Sequence, residues 1–265
     1  MSSANASAVH IDVGPETRRR RIAVIATPAP AGAPTVVWLG GYRSDMTGTK
    51  AVALEAHAGE TGTGFIRFDY TGHGASSGHY TDGTISIWLE DALAVIDAFA
   101  ASGRLVLVGS SMGGWVALRL IEELRKRGNS ERLAGLVLIA PAPDFTVDLI
   151  EPALSERERA SLEENGYFEE ASGYSDEPNR FTRALIEDGR TNRVMAGLVE
   201  TGCPVHILQG MKDPDVPYRH ALKLMEKIVG DDATLTLIRD GDHRLSRPED
   251  LARIAAAVSA MTQKQ

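Results

Sequence analysis

Ser111 lies in Gly109-Ser110-Ser111-Met112-Gly113, a G-x-S-x-G string that follows the aliphatic run Leu105-Val106-Leu107-Val108. A serine on a sharp strand-to-helix turn is raised above the strand end, and the residues two before and two after it must lack bulk. Glycines at 109 and 113 meet that demand. The helix that follows would aim its positive end at an oxyanion forming near the hydroxyl. A glycine-rich turn could instead cradle phosphate, but that needs G-x-G-x-x-G or G-x-x-x-x-G-K-[ST], and this turn has neither.

A serine hydroxyl needs a base to take its proton. Of the seven histidines (His10, His57, His73, His79, His206, His220 and His243), only His243 falls in a loop after the last expected strand, within Arg239-Asp240-Gly241-Asp242-His243-Arg244. An orienting acid is expected after the preceding strand. Asp213 is the first choice, because the turn Gly210-Met211-Lys212 brings it to that strand's carboxyl end; Asp215 and Asp144 are alternatives. The order Ser111, Asp213, His243 is the chain order of α/β-hydrolases. Two backbone donors should bind the oxyanion. Met112 N–H is one, and Tyr42 N–H, from Gly40-Gly41-Tyr42, is the other, with Gly41 as its alternative. The Tyr42 ring reads either as lining an acyl pocket or as packing. His73 and His79 read as solvated loop residues rather than substrate contacts.

These side chains need strand ends to carry them. Strands are expected at about 8–13, 19–27, 35–39, 65–70, 105–108, 133–140, 205–208 and 233–238. Helical periodicity falls between them, at 48–60, 84–101, from Ser111 to a stop at Gly128, at 218–229 and at 247–262. Ser246 and Glu249 have capping-box spacing at the last of these. The expected fold class is α/β: a mostly parallel eight-stranded sheet with helices on both faces. Residues 1–265 read as one domain. Over 146–200 the rhythm lapses, charge rises, and Tyr167, Phe168, Tyr174 and Phe181 are scattered among polar residues. Ser155 to Glu158 looks like a capping box there. This stretch reads as a lid insertion, since long irregular segments inside a domain are usually functional.

Composition narrows the function. The 265 residues hold 28 Lys+Arg and 36 Asp+Glu, a net charge of −8, which disfavours nucleic acid as a partner. The basic run Arg18 to Arg21 reads as a solvated strand entrance. No window approaches the roughly 18 apolar residues of a membrane span, and Met1 to Ser7 lacks the features of a secretory signal. The single cysteine, Cys203, reads as a small core residue in a reducing cytoplasm. Neither a metal nor an organic cofactor is implied. The expected partner is a small-molecule or acylated-protein substrate.

Several strings are more particular: Gly41-Tyr42 with Ser44, Met46 and Gly48-Thr49-Lys50-Ala51; Arg67-Phe68-Asp69-Tyr70 with Gly72, Gly74, Ser76 and Gly78; Val108 to Trp115; Gly210 to Asp213 with Val216-Pro217; and Asp242-His243-Arg244. On these the sequence resembles one branch of the α/β-hydrolases, the mitochondrial palmitoyl-protein thioesterase and acyl-glucuronide esterase family with its bacterial relatives. The resemblance spans about 35–250. It implies Ser111, Asp213 and His243 as a catalytic triad and an ester or thioester as substrate.

Overall fold

The computed structural model describes residues 7–173, 176–230 and 232–263, so Tyr174 and the segment 1–6 lie outside the described residues. The chain enters through β1 (Val9–Val13) and β2 (Arg20–Thr27), an antiparallel pair with Val9 opposite Val24. Strands and helices then alternate. β3 (Thr35–Leu39), α1 (Thr49–Thr61), β4 (Gly64–Phe68), α2 (Ile85–Phe99), β5 (Leu105–Ser110), α3 (Met112–Lys126) and β6 (Leu133–Ile139) follow in turn.

After β6 comes the stretch of altered rhythm. A π turn at Thr146–Ile150 runs into α4 (Glu151–Ala153) and α5 (Glu156–Asn165). An antiparallel hairpin of β7 (Tyr167–Glu170) and β8 (Asn179–Thr182) leads to α6 (Arg183–Thr191). β9 (Val199–Glu200), β10 (Val205–Gly210), α7 (Tyr218–Lys227), β11 (Ile228–Val229), β12 (Ala233–Ile238) and α8 (Pro248–Gln263) complete the chain.

The main sheet has eight strands in the order β1-β2-β4-β3-β5-β6-β10-β12. β2 pairs antiparallel with both β1 and β4, and the other pairs are parallel. β9 and β11 make a separate parallel pair. Every residue of β3, β5 and β6 is buried, as expected of strands covered on both faces. Alternate side chains of β5 feed the two layers. Leu105 and Leu107 join Trp88, Val95, Trp115 and Leu120 on the α2 and α3 side. Val106 and Val108 join Ala51, Leu54, Ile254 and Met261 on the α1 and α8 side.

The loop after β4 explains its spaced glycines. Asp69 accepts from Met46 N at 2.6 Å and Ala75 N at 2.8 Å, folding the loop back over the strand end. Gly74, at φ +47°, sits against that carboxylate, where a Cβ would collide with Asp69 Oδ1 and Oδ2. Ser76 Oγ donates to Asp69 O at 2.6 Å and accepts from Ala23 N at 2.9 Å.

Some expectations change in the fold. The run Arg18 to Arg21 is not wholly solvated: Arg20 reaches inward to Asp91 at 3.2 Å and to Glu90 at 2.5 Å. Asp91 is fully buried on α2 and also accepts from Thr71 N at 2.8 Å. The capping box at Ser155 and Glu158 forms as read. That at Ser246 does not: α8 begins at Pro248, so Arg247 rather than Ser246 precedes it, and Ser246 Oγ donates to Arg244 O at 3.0 Å. Cys203 is half-buried rather than a core residue, and burial pushes its thiol up to about 11.

Arg20→Met would leave Asp91 buried without its cation. Urea unfolding should show a loss of about 3 kcal/mol, and a loss under a few tenths would mean that the pair contributes nothing.

Candidate active site

Three strand ends converge at the carboxyl edge of the sheet. β5 ends at Ser110, and Ser111 takes φ 53°, ψ −120°, a left-handed turn that L-residues rarely adopt. α3 starts at the next residue. Gly109 and Gly113 are required by contact: a Cβ on Gly109 would lie 2.5 Å from Gly113 O, and one on Gly113 would run into Leu39 O. Strain at a single hydroxyl-bearing residue, held by close backbone packing, is the hallmark of a nucleophile elbow.

His243 Nε2 lies 3.1 Å from Ser111 Oγ across 132 residues of sequence, and Nδ1 lies 2.8 Å from Asp213 Oδ2. The structure thus brings Ser111, His243 and Asp213 together in a line. Asp213 is held at every side. Its Oδ1 accepts from Asp215 N at 2.9 Å and Val216 N at 2.8 Å, and its Oδ2 from Gln209 Nε2 at 3.0 Å. Those donors leave the carboxylate one orientation toward the imidazole. Of the two alternative acids, Asp215 supplies a backbone donor to Asp213. Asp144 faces elsewhere: it accepts from Val194 N at 2.8 Å and Met195 N at 2.9 Å, and burial raises its pKa. Asp213, Asp215 and His243 form the one cluster with metal-ligand spacing among the described residues, and two of them, Asp213 and His243, belong to this same hydrogen-bonded line.

A match to the family model for the alpha/beta hydrolase family covers residues 19–254. The chain belongs to the alpha/beta hydrolase family. It is 32% identical over 232 residues to the mitochondrial palmitoyl-protein thioesterase ABHD10 of Mus musculus, covering 87% of this chain and 76% of that one. Among solved structures it superposes on a protein from Agrobacterium vitis S4 classed provisionally as a hydrolase, with TM-score 0.94, 62% identity and coverage of 97% and 99%. The structure of mouse alpha/beta hydrolase domain-containing protein 10 gives TM-score 0.82 and 29% identity, covering 96% of this chain and 98% of that one.

Within this alpha/beta hydrolase, the loop after β3 passes directly beneath the serine. A Cβ on Gly41 would lie 3.4 Å from Ser111 Cβ and 3.4 Å from Ser110 O, so Gly41 lies close against the serine. Met112 is the first residue of α3, and its N–H therefore has no acceptor within the helix. The Tyr42 ring is packed: it stacks on Phe181 of β8 at 5.3 Å, and its hydroxyl donates to Arg180 O at 2.5 Å. Phe145 in turn meets Trp115 edge-on at 5.5 Å. Phe145, Arg180 and Phe181 therefore pack on the very segments that carry the oxyanion candidates. Among the described residues no helix is long and apolar enough to cross a membrane.

Sequence reasoning left Lys50 without a role. Its Nζ donates to Arg244 O at 2.5 Å, tying the start of α1 to the loop that bears His243. The signal was present, since the Lys50 and His243 strings were two of the most particular in the chain. Burial pushes this ammonium down to about 8, Arg244 adding in the same direction and Asp242 opposing.

Between pH 8 and the ordinary lysine value of 10.5 the unfolded chain holds a proton at Lys50 that the folded chain has lost. The Lys50 contribution to stability therefore rises with pH through that window. Unfolding of wild type and Lys50→Met across the window should show the difference moving in favour of wild type; a difference that falls with pH contradicts a depressed lysine.

Proposed function

We propose that this protein is a serine hydrolase that cleaves acyl thioesters or carboxylic esters through an acyl-enzyme on Ser111. The observation that carries the reading is the unbroken line from Ser111 Oγ through His243 to Asp213, at 3.1 Å and 2.8 Å, starting from a left-handed serine. The name of the ABHD10 relative, a palmitoyl-protein thioesterase, supports the thioester class.

In this reading His243 Nε2 takes the hydroxyl proton as Ser111 Oγ attacks the acyl carbon. Asp213 keeps the Nδ1 proton in place and stabilises the imidazolium that forms. The carbonyl oxygen becomes an oxyanion between Met112 N–H and Tyr42 N–H. Collapse expels the thiolate or alkoxide, and the proton on Nε2 goes to that leaving group. Water then repeats the sequence on the acyl-enzyme, losing a proton to Nε2 and releasing the carboxylic acid and free Ser111. A thiolate leaves with little help, so a thioester suits a site with one acid.

The whole chain, 1–265, is read as a single catalytic domain, and 146–200 as its lid. The packing of Phe181 on Tyr42 supports that placement. The substrate is a small acyl ester or an acylated protein, and no metal or organic cofactor is needed for these steps. A lone half-buried cysteine fits a reducing cytoplasm.

Ser111→Ala and His243→Ala should each lower kcat by about 10⁶-fold, and Asp213→Asn by about 10⁴-fold, with Ser111→Ala also blind to a fluorophosphonate probe. Persistence of both turnover and labelling in Ser111→Ala would remove the reading. A matched series of acyl thioesters and oxygen esters should give kcat/KM rising with chain length and higher for the thioesters. A flat profile would set aside a long-chain acyl donor, and turnover only on dicarbonyl substrates would point to C–C bond hydrolysis.

A further inference from the structure

His73 is 3% exposed, which overturns its reading as a solvated loop residue; His79 is exposed and caps a short 3-10 turn at Tyr80–Asp82. The His73 ring is held at both nitrogens. Nδ1 lies 3.1 Å from Thr71 O, and Nε2 lies 3.0 Å from Arg43 N. A carbonyl only accepts and a backbone N–H only donates. The ring must therefore be neutral, with its proton on Nδ1 and its lone pair on Nε2. Burial first, and the Arg43 guanidinium after it, push the pKa below the ordinary histidine value, while the bond to Thr71 opposes them. Rings of Tyr42, Tyr70 and Trp88 surround the imidazole at 5.6 to 6.5 Å.

Thr71 is itself fixed. Its N–H donates to the buried Asp91 at 2.8 Å, and its carbonyl also accepts from Trp88 Nε1 at 3.2 Å. On the other side, Arg43 stands at φ 57°, a conformation that costs an L-residue about 1–2 kcal/mol. It directly follows Tyr42, whose N–H is the second oxyanion donor in the reading above. Arg43 N–H to His73 Nε2 is thus a bond from a rigid, buried frame to the one strained residue of that loop. The Arg43 side chain meets the insertion, donating to Pro178 O at 2.7 Å and Glu177 O at 3.1 Å.

We propose that His73 is a positioning residue for the oxyanion hole: by accepting from Arg43 N–H, it holds the left-handed turn that aims Tyr42 N–H at the reacting carbonyl. This rests on the serine-hydrolase reading. A misaimed donor binds the oxyanion worse than the substrate, so the defect falls on kcat and leaves KM nearly alone.

The two ring nitrogens can be replaced one at a time. His73→Asn keeps a donor toward Thr71 but has nothing to reach Arg43 N. His73→Gln extends an amide oxygen to the position of Nε2. With a short p-nitrophenyl ester, His73→Asn should lose at least tenfold in kcat with KM within about twofold, and label more slowly with a fluorophosphonate, whose adduct also fills the hole. His73→Gln should recover most of both rates. Equal activity in the two variants, whether high or low, overturns the assignment, since a merely structural histidine would not distinguish them. If either variant fails to fold, nitrogen-15 NMR of the wild-type ring decides: an Nδ1–H tautomer is required, and an Nε2–H tautomer overturns it. Loss of kcat in Ser111→Ala beside an unaffected His73→Asn would discard this inference alone, whereas activity in Ser111→Ala would discard the reading beneath it.

Discussion

Where Gly113 passes the carbonyl of Leu39, backbone presses against backbone. There is no room for a side chain: a Cβ would clash with Leu39 O and lie 2.5 Å from Gly40 O. That approach locks the end of β3 to the first turn of α3, and so fixes the loop from Gly40 to Arg43 relative to Ser111. A second such contact joins the other pair of loops. A Cβ on Gly210 would lie 2.5 Å from Asp242 O, so the end of β10 and the loop bearing His243 are pressed together. Side chains can repack, whereas two main chains in contact leave few alternatives. These glycine contacts fix the strand ends and loops that carry Ser111, His243 and Asp213.

Buried carboxylates do the next layer of work. Asp69, Asp91 and Asp144 each accept from backbone N–H groups of a loop beside the site: Met46 and Ala75, Thr71, and Val194 with Met195. Burial raises the pKa of all three, and these backbone bonds oppose it. Each loop gains a fixed shape from a carboxylate that would be costly to bury without such donors. Function in this fold depends on loops, and here acids within the core shape them.

What could be read in the sequence was whatever has a period or a required spacing. The strands' places along the chain and the choice of Ser111, Asp213 and His243 as candidates all depend on short-range signals: aliphatic runs, glycines two residues either side of a serine, an acid and a histidine each after a strand. Polar residues buried by tertiary contacts carry no such signal. Asp91 lies on α2 among Ile87, Leu89 and Ala92, and nothing local says that Arg20, 71 residues away, will meet it. His73 looked like any loop histidine for the same reason, because its burial comes from Tyr42, Tyr70 and Trp88. The β7–β8 hairpin escaped notice because Tyr167–Glu170 and Asn179–Thr182 are four residues each and mostly polar, too short to show alternation. Ser246 had the spacing of a cap, yet α8 starts only at Pro248, one residue beyond where that cap would place it.

Asp144 has a consequence for how such enzymes can be rebuilt. At φ 55° its carbonyl accepts from Val147 N and Asp148 N as the insertion departs, while its carboxylate holds Val194 N and Met195 N as the chain returns. One residue clasps both ends of a segment about fifty positions long, so β6 and β10 do not feel the length of what lies between. A cassette exchanged at boundaries inside Asp144 and Val194 keeps this clasp, whereas one that replaces only one of the two ends leaves a buried acid without its backbone donors. Such transplants must still meet Tyr42 and Arg43 at the hairpin edge from 177 to 181, and Ser86 and Trp115 where Asp188 and Asn192 now bind them.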